Sequence, residues 1–417
     1  VIVQRLRAET AYLMLALGSG LLFSLVFTAN TLYYATVVRL SPLELVLVGT
    51  TLEVAILLFE VPTGVVADVV SRRLSILIGF TLVGCGFLLE GLVPTFAAVI
   101  AAAVIWGVGY TFTSGATQAW LSDEIGEADA NRLVLRVGVL QRYAGFVVIP
   151  LSVVLAFSSL QTVIIVGGAG FLGLAAFLTA FMPETNFQPH PHAQQGVFQG
   201  MRATVLEALR FARASRNIRT IFVLTVILGA ASESFDRLWQ VHLLSFGFPR
   251  LESLPGTARL SEAQSLLVSF AAIDLIVTLV SLPLARWAAR VNVDDERAVA
   301  RALGVVTIGA VIGVLGFALA PTLALAVGAF IVARASRGVH APLSFAWLNQ
   351  RLEPSTRATV LSLNGQADAV GQIAGGPVIG ALGNLSLRLA LLSGAVILAV
   401  CLPVYARASK EVQVYSG

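Results

Sequence analysis

Charge is what this chain most lacks. Asp, Glu, Lys and Arg make up 12% of its 417 residues, against roughly 25% in an average soluble domain. A soluble fold of this size could not cover its surface with so few. An ordinary cytosolic enzyme, a nucleic-acid binder and a disordered chain are therefore excluded. Lysine is nearly missing: Lys410 is the single one, every other basic residue is arginine, and the formal charge is only +4. That is not the basic surface a nucleic acid requires. Cysteine is scarce too. Cys85 and Cys401 both lie in apolar stretches and read as buried thiols, which excludes a disulfide framework. No nucleophile motif, phosphate loop or metal-ligand cluster is visible, so no enzymatic activity, cofactor or metal is expected. Apolar residues are what the chain has in abundance, at 57% of the total with a mean hydropathy of +0.87. The class this leaves is an all-α polytopic membrane protein. The first apolar stretch is too long for a cleavable signal peptide and is followed by many more.

A hydrocarbon core of roughly 30 Å needs about 20 helical residues, and helices alone satisfy their own backbone over such lengths. Apolar runs between charged or Pro/Gly breaks give twelve spans: 11–38, 43–68, 74–96, 97–124, 132–158, 161–182, 217–246, 262–289, 301–320, 322–349, 356–383 and 386–406. With the N-terminus in the cytoplasm, 19 basic residues fall on the inner side and 4 on the outer. The positive-inside rule then places both termini in the cytoplasm. The longest inner connection divides the spans six and six. The expected organisation is an N-terminal half over 1–190, a linker over 191–216 and a C-terminal half over 217–417. The linker opens on a Pro/Gln/His-rich stretch in which His190 and His192 read as solvated. It continues as an amphipathic helix with Phe198, Met201, Val205 and Leu209 on one face.

The halves repeat. Glu53 and Pro62 of span two fall on Asp274 and Pro283 of span eight, and Ala119-Trp120-Leu121 of span four on Ala346-Trp347-Leu348 of span ten. Asn30 of span one takes the place of Asp236 of span seven. Two six-helix halves related by an axis along the membrane normal are expected.

After span two the sequence runs Gly64-Val65-Val66-Ala67-Asp68-Val69-Val70-Ser71-Arg72-Arg73. This resembles the loop signature of the major facilitator superfamily, G-x-x-x-D-R-x-G-R-R. Gly64, Asp68, Arg72 and Arg73 match it; Val69 and Ser71 depart from it. The resemblance implies the major facilitator fold, twelve transmembrane helices in two pseudo-symmetric halves, acting as a monomer. It also implies that this cluster latches the cytoplasmic side, with Arg72 and Arg73 pairing with Asp123 or Glu124. Gly64 is expected to permit close helix approach. Met182-Pro183-Glu184-Thr185 after span six is similar to the ending of that span in bacterial drug and small-molecule exporters. The glycine-proline run common in span five of exporters is loose here, and a denser one, Gly371 to Gly383 around Pro377, lies in span eleven.

A charge at the bilayer centre costs at least ~2.5 kcal/mol, so it faces a cavity or a partner. The embedded acids are Glu53 and Glu60 in span two, Glu90 nearer the outer side of span three, Glu233 and Asp236 in span seven, Asp274 in span eight and Asp368 in span eleven. Glu53, Glu233, Asp236, Asp274 and Asp368 are candidates for proton coupling, Asp274 and Asp368 first. Arg142, Arg237, Arg334, Arg337 and His340 are their candidate partners in the cavity. Glu233 and Arg237 are one turn apart and can pair locally, while Arg334 and Arg337 are expected to neutralise Asp274 or Asp368. The alternative is that these groups form permanent pairs. Asn30, Tyr33, Tyr34, Tyr110, Gln118 and Trp239 are candidate substrate contacts, and each is as well explained by packing or by an interfacial belt.

The expected function is export of small amphipathic organic molecules by proton antiport and alternating access, with substrate, protons and membrane lipid as partners. The alternatives are a proton-coupled importer of a narrow substrate and a lipid or lysolipid translocase.

Overall fold

The computed structural model describes residues 5–156, 158–189, 216–248, 261–350 and 357–410, with the isolated positions 206, 210, 211 and 213. The helices are α1 (Ala8–Tyr33, continued as a π-helix over Tyr34–Val38), α2 (Pro42–Val69), α3 (Arg72–Leu92), α4 (Phe96–Ile125), α5 (Glu127–Leu155) and α6 (Leu160–Phe181). Beyond residue 215 follow α7 (Arg216–Leu244), α8 (Glu262–Ala288), α9 (Glu296–Leu319), α10 (Leu323–Asn349), α11 (Arg357–Leu385), α12 (Leu387–Ala399) and α13 (Leu402–Ala408). Phe198, Met201, Val205 and Leu209 of the expected linker helix lie outside the described residues, as do His190 and His192.

Among the described residues, ten helical stretches are long and apolar enough to cross a membrane. The protein is thus an all-α, multi-pass membrane protein. The two other long helices, α5 and α11, are interrupted by polar residues: Arg132, Arg136 and Gln141 in the first, Asn364, Asp368 and Gln372 in the second. The last expected span, 386–406, is broken between Ala399 and Leu402, where Pro403 begins a new helix that it could not have continued.

Side chains define several helix starts. Ser71, Thr95, Ser159 and Thr322 accept from the backbone N–H three residues on, at 2.9, 3.3, 3.2 and 3.4 Å, each filling an orphan donor of the first turn. Internal prolines, Pro62 and Pro283 among them, leave α2 and α8 helical.

The chain forms two compact units. One comprises residues 1–40, 51–203 and 250–268; the other comprises 41–50, 204–249 and 269–417. The first turns of α2 therefore belong with α7 and α11, and the first turn of α8 with α5. Within hydrocarbon, helices gain little from apolar burial alone, so close backbone approach decides their packing. In the first unit α3 lies against α4 at Gly79 and Gly109, and against α6 at Gly84 and Gly168. In the second, the glycine run of α11 serves this purpose. A Cβ at Gly371 or Gly375 would strike the backbone of α7 at Val226 and Ala230, and one at Gly380 would strike Leu43 at the start of α2. Leu43 also donates its N–H to Asn384 Oδ1 at 3.0 Å. Gly64 differs from expectation: a Cβ there would meet nothing within 4 Å, so no close helix approach depends on it. Cys401 is buried, but Cys85 is exposed, because α3 turns that face away from α4 and α6.

Candidate functional site

The second unit encloses a cavity of about 710 Å³, within the ~300–1,000 Å³ usual for sites that take an organic ligand. Most of its polar wall is built by three helices, with Thr307 of α9 and Tyr405 of α13 besides. From α7 come Thr225, Ser232, Glu233, Asp236 and Arg237; from α10, Arg337, His340 and Ser344; from α11, Asn364, Asp368 and Gln372.

Asp236 is the electrostatic hub. Arg337 donates to its Oδ2 at 2.5 Å, and Arg334 Nη1 lies 3.8 Å from its Oδ1. The Arg337 guanidinium also sits over the Phe235 ring, 5.2 Å from its centroid. These arginines were expected on Asp274 or Asp368, and they are on neither. Asp274 occupies an exposed position on α8 outside the cavity wall, reached by the charge of Arg334 without ion-pair contact. Asp368 lines the cavity and makes no ion pair among the described residues. It accepts from Gln372 Nε2 at 2.9 Å. Arg237 Nε lies 3.5 Å from Glu233 Oε1, the local pair that their spacing allows.

His340 is bridged by neutral groups: Tyr405 Oη lies 3.2 Å from Nε2, and Ser344 Oγ lies 3.2 Å from Nδ1. Thr225 donates to Asn364 Oδ1 at 2.7 Å, joining α7 to α11. Asn364, Asp368 and Gln372 recur every four residues and so share one face of α11. Asn364, Gln372 and Thr225 were missed as site residues, although that period is visible in the sequence.

The other candidates lie elsewhere. Glu53 is half-buried on α2, and the Arg142 side chain lies outside the described residues. Trp239 is buried and stacks on Phe330 with ring centroids 4.6 Å apart. It belongs to the packing of the second unit and not to the cavity wall. Tyr110 and Gln118 are exposed on α4.

Asn30, Tyr33 and Tyr34 converge on a group that the sequence reading left out of the candidates, Glu90 of α3. Asn30 Nδ2 donates to Glu90 Oε1 at 2.8 Å, Tyr34 Oη to Oε2 at 2.8 Å, and Tyr33 Oη to the Glu90 carbonyl at 2.5 Å. Glu90 is fully buried. The π-helix begins at Tyr34 and is capped after Val38 by Arg39, whose φ of +61° is left-handed. The signal in the sequence for this cluster is one carboxylate in an otherwise apolar run of α3.

At the first turn of α3 the acids and arginines sort differently from expectation. Arg72 pairs with Asp123 at 2.6 Å and lies 3.8 Å from Asp68. Arg73 pairs with neither Asp123 nor Glu124; its guanidinium donates to the Thr179 carbonyl and its N–H to Glu184 Oε1 at 2.8 Å. Ser71 Oγ donates to Glu184 Oε2 at 2.6 Å. Glu124 accepts from the backbone N–H groups of Thr185 and Asn186 at 2.7 and 3.0 Å. Two carboxylates thus staple the residues after α6 to the ends of α3 and α4.

Compared with known families, residues 12–293 match the profile described as Major Facilitator Superfamily. The chain belongs to the major facilitator superfamily. A relative from Bacillus subtilis (strain 168), the uncharacterized MFS-type transporter YxaM, is 23% identical over 345 residues, covering 81% of this chain and 80% of its own. Among solved structures, the nucleoside transporter NupG superimposes with a TM-score of 0.72 at 16% identity, covering 98% of this chain and 100% of that one. The peptide transporter POT in complex with sulfate gives a TM-score of 0.66 at 12% identity, covering 97% and 96%. At such identities the likeness establishes the fold alone; small-molecule transport and contact with membrane lipid are consistent with membership of the family.

The expectation of a proton antiporter exporting amphipathic molecules is corrected. Among the solved structures the chain resembles are a nucleoside transporter and a peptide transporter, and neither supports an efflux branch.

Proposed function

We propose that the protein is a proton-coupled importer of a narrow, hydrophilic substrate, working by alternating access. The observation that carries this reading is the Arg337–Asp236 pair in the wall of the cavity. With Asp236 ionised, Arg337 is engaged by it. A proton on Asp236 removes that counter-charge and frees the guanidinium for an acceptor on the solute. Proton and solute then load together, which is the requirement for symport. Arg334 shares Asp236, Asp368 faces the same space from α11, and Glu233 and Arg237 pair with each other on α7.

In this reading α5 and α11 complete twelve transmembrane helices in two pseudo-symmetric halves, over 1–190 and 217–417, joined by the 191–216 linker. The protein works as a monomer in the inner membrane of a bacterium with both termini cytoplasmic, an orientation supported by the arginine asymmetry. Asp68, Arg72 and Asp123 form a cytoplasmic gate that opens and closes with the cycle.

The test uses proteoliposomes containing a pH-sensitive dye. Pools of amino acids, short peptides, nucleosides and hexoses are added outside. Acidification of the lumen by one pool in the wild type, lost in Asp236→Asn, supports the reading. Absence of acidification by every pool, with insertion verified, overturns it.

A further inference from the structure

We propose that the solute is a zwitterion, a free amino acid or short peptide, with its ammonium on Asp368 and its carboxylate on Arg337. This rests on the reading of the cavity as the transport site and adds the class of solute.

The argument is a balance of charges and of hydrogen-bonding capacity. The charged groups of the cavity wall are Glu233, Asp236 and Arg237 of α7, Arg337 of α10 and Asp368 of α11, with His340 as a further titratable group. Glu233 and Arg237 lie together. His340 is occupied by Tyr405 and Ser344. Arg334 reaches Asp236 from outside the cavity wall. When Asp236 takes the coupling proton, two charges of opposite sign are left facing the space, Arg337 and Asp368. A lone anion would sit before Asp368, and a lone cation before Arg337. An uncharged solute would leave Arg337 and Asp368 with only the field of each other as water leaves. A molecule bearing one charge of each sign satisfies both.

The neutral groups are arranged in the same sense. Gln372 spends an N–H on Asp368 Oδ2, which keeps its own carbonyl as an acceptor beside that carboxylate. Asn364 spends its carbonyl on Thr225, which keeps its NH2 as a donor. Along one face of α11, acceptors suited to an ammonium thus gather at Asp368 and Gln372, and a donor suited to a carboxylate lies one turn away at Asn364. Gly229 fits this plan. A Cβ there would strike the backbone carbonyl of Asp368, so its absence lets α11 bring the carboxylate against α7.

The experiment measures thermal unfolding of the purified full-length protein at mildly acidic pH. The probes are a mixture of the twenty α-amino acids, a dipeptide mixture, a nucleoside mixture and a hexose mixture. Stabilisation by amino acids or dipeptides is expected. N-acetylation or C-amidation of the active compounds is then expected to weaken binding about tenfold or more, as loss of a charge-assisted hydrogen bond does. In Asp368→Asn the zwitterion and its N-acetyl form become equivalent. If that variant does not fold, the capped compounds on the wild type decide alone. Stabilisation by nucleosides or hexoses only, by capped and free compounds equally, or by none of the mixtures overturns the proposal. The pH-dye measurement separates the two readings. A zwitterion that binds without acidifying the lumen leaves the class standing and removes proton-coupled import. Acidification by nucleosides does the reverse.

Discussion

The Arg337 guanidinium is committed twice, to the Asp236 carboxylate at 2.5 Å and to the face of Phe235 5.2 Å from its centroid. Both partners are on α7, one residue apart, so the side chain of α10 is clamped across α7. Asp368, on the next helix of the same wall, has no such partner among the described residues. Of the three carboxylates in the cavity wall, Glu233 and Asp236 are paired with arginines and Asp368 makes no ion pair among the described residues.

Asp236→Asn tests the pair with Arg337. Loading that requires a proton on Asp236 slows as the pH on the loading side rises, since fewer carboxyl groups then carry one. The amide cannot titrate. Solute exchange across proteoliposomes should persist in the variant with a flattened pH profile, while accumulation against a gradient is lost. A wild-type pH profile in Asp236→Asn would refute the assignment.

Removing one partner only should cost stability. Asp236→Ala strands Arg337, and a loss of roughly 2 kcal/mol is expected, below the ~3–5 of a fully buried pair because both groups are partly exposed. Asp236→Ala combined with Arg337→Ala should recover part of it in detergent-solubilised thermal unfolding.

Glu90 is expected to matter for folding. Glu90→Ala leaves the Asn30 amide and the Tyr34 hydroxyl without their acceptors in a buried site, at ~1–3 kcal/mol for each unmet group. Glu90→Gln retains an acceptor and should cost less. Equal melting temperatures for Glu90→Ala and the wild type would contradict this.

The staple at the end of α6 is accessible to a similar measurement. Glu184→Ala removes the acceptor of both Ser71 Oγ and the Arg73 N–H, and α3 should lose about 1 kcal/mol at its first turn. Faster amide hydrogen exchange confined to the start of α3 is the expected signature.

Two glycines should respond in opposite ways. Gly371→Val drives a side chain into the α7 backbone and should cost ~1–3 kcal/mol or prevent folding. Gly64→Ala enters open space and should leave the melting temperature unchanged, although it alters the residue that opens the signature loop.

Much of the fold was legible because its signals are local. The apolar runs that become helices are set by composition and length alone, and the i,i+4 pair of Glu233 and Arg237 needs only its own helix. Cys85 shows where such reading stops. An apolar neighbourhood in sequence means burial in a soluble protein, but on a membrane helix it equally describes the lipid face. Asn30, Tyr33 and Tyr34 show the same limit, since their helix says nothing of which neighbour holds a carboxylate.

From sequence alone followed the membrane class, the superfamily and the positions of most of the helices. These rest on composition, run length and short spacings, all one-dimensional quantities. Only the tertiary structure decided that Arg334 and Arg337 meet Asp236, that Asp368 stays available, that Glu90 collects three residues of α1 and that the start of α2 packs with α7 and α11. Lipid and protein core are similarly apolar, so hydrophobicity does not mark which face of a membrane helix turns inward. That rotation, set by where glycines let backbones touch, determines which charge finds which partner.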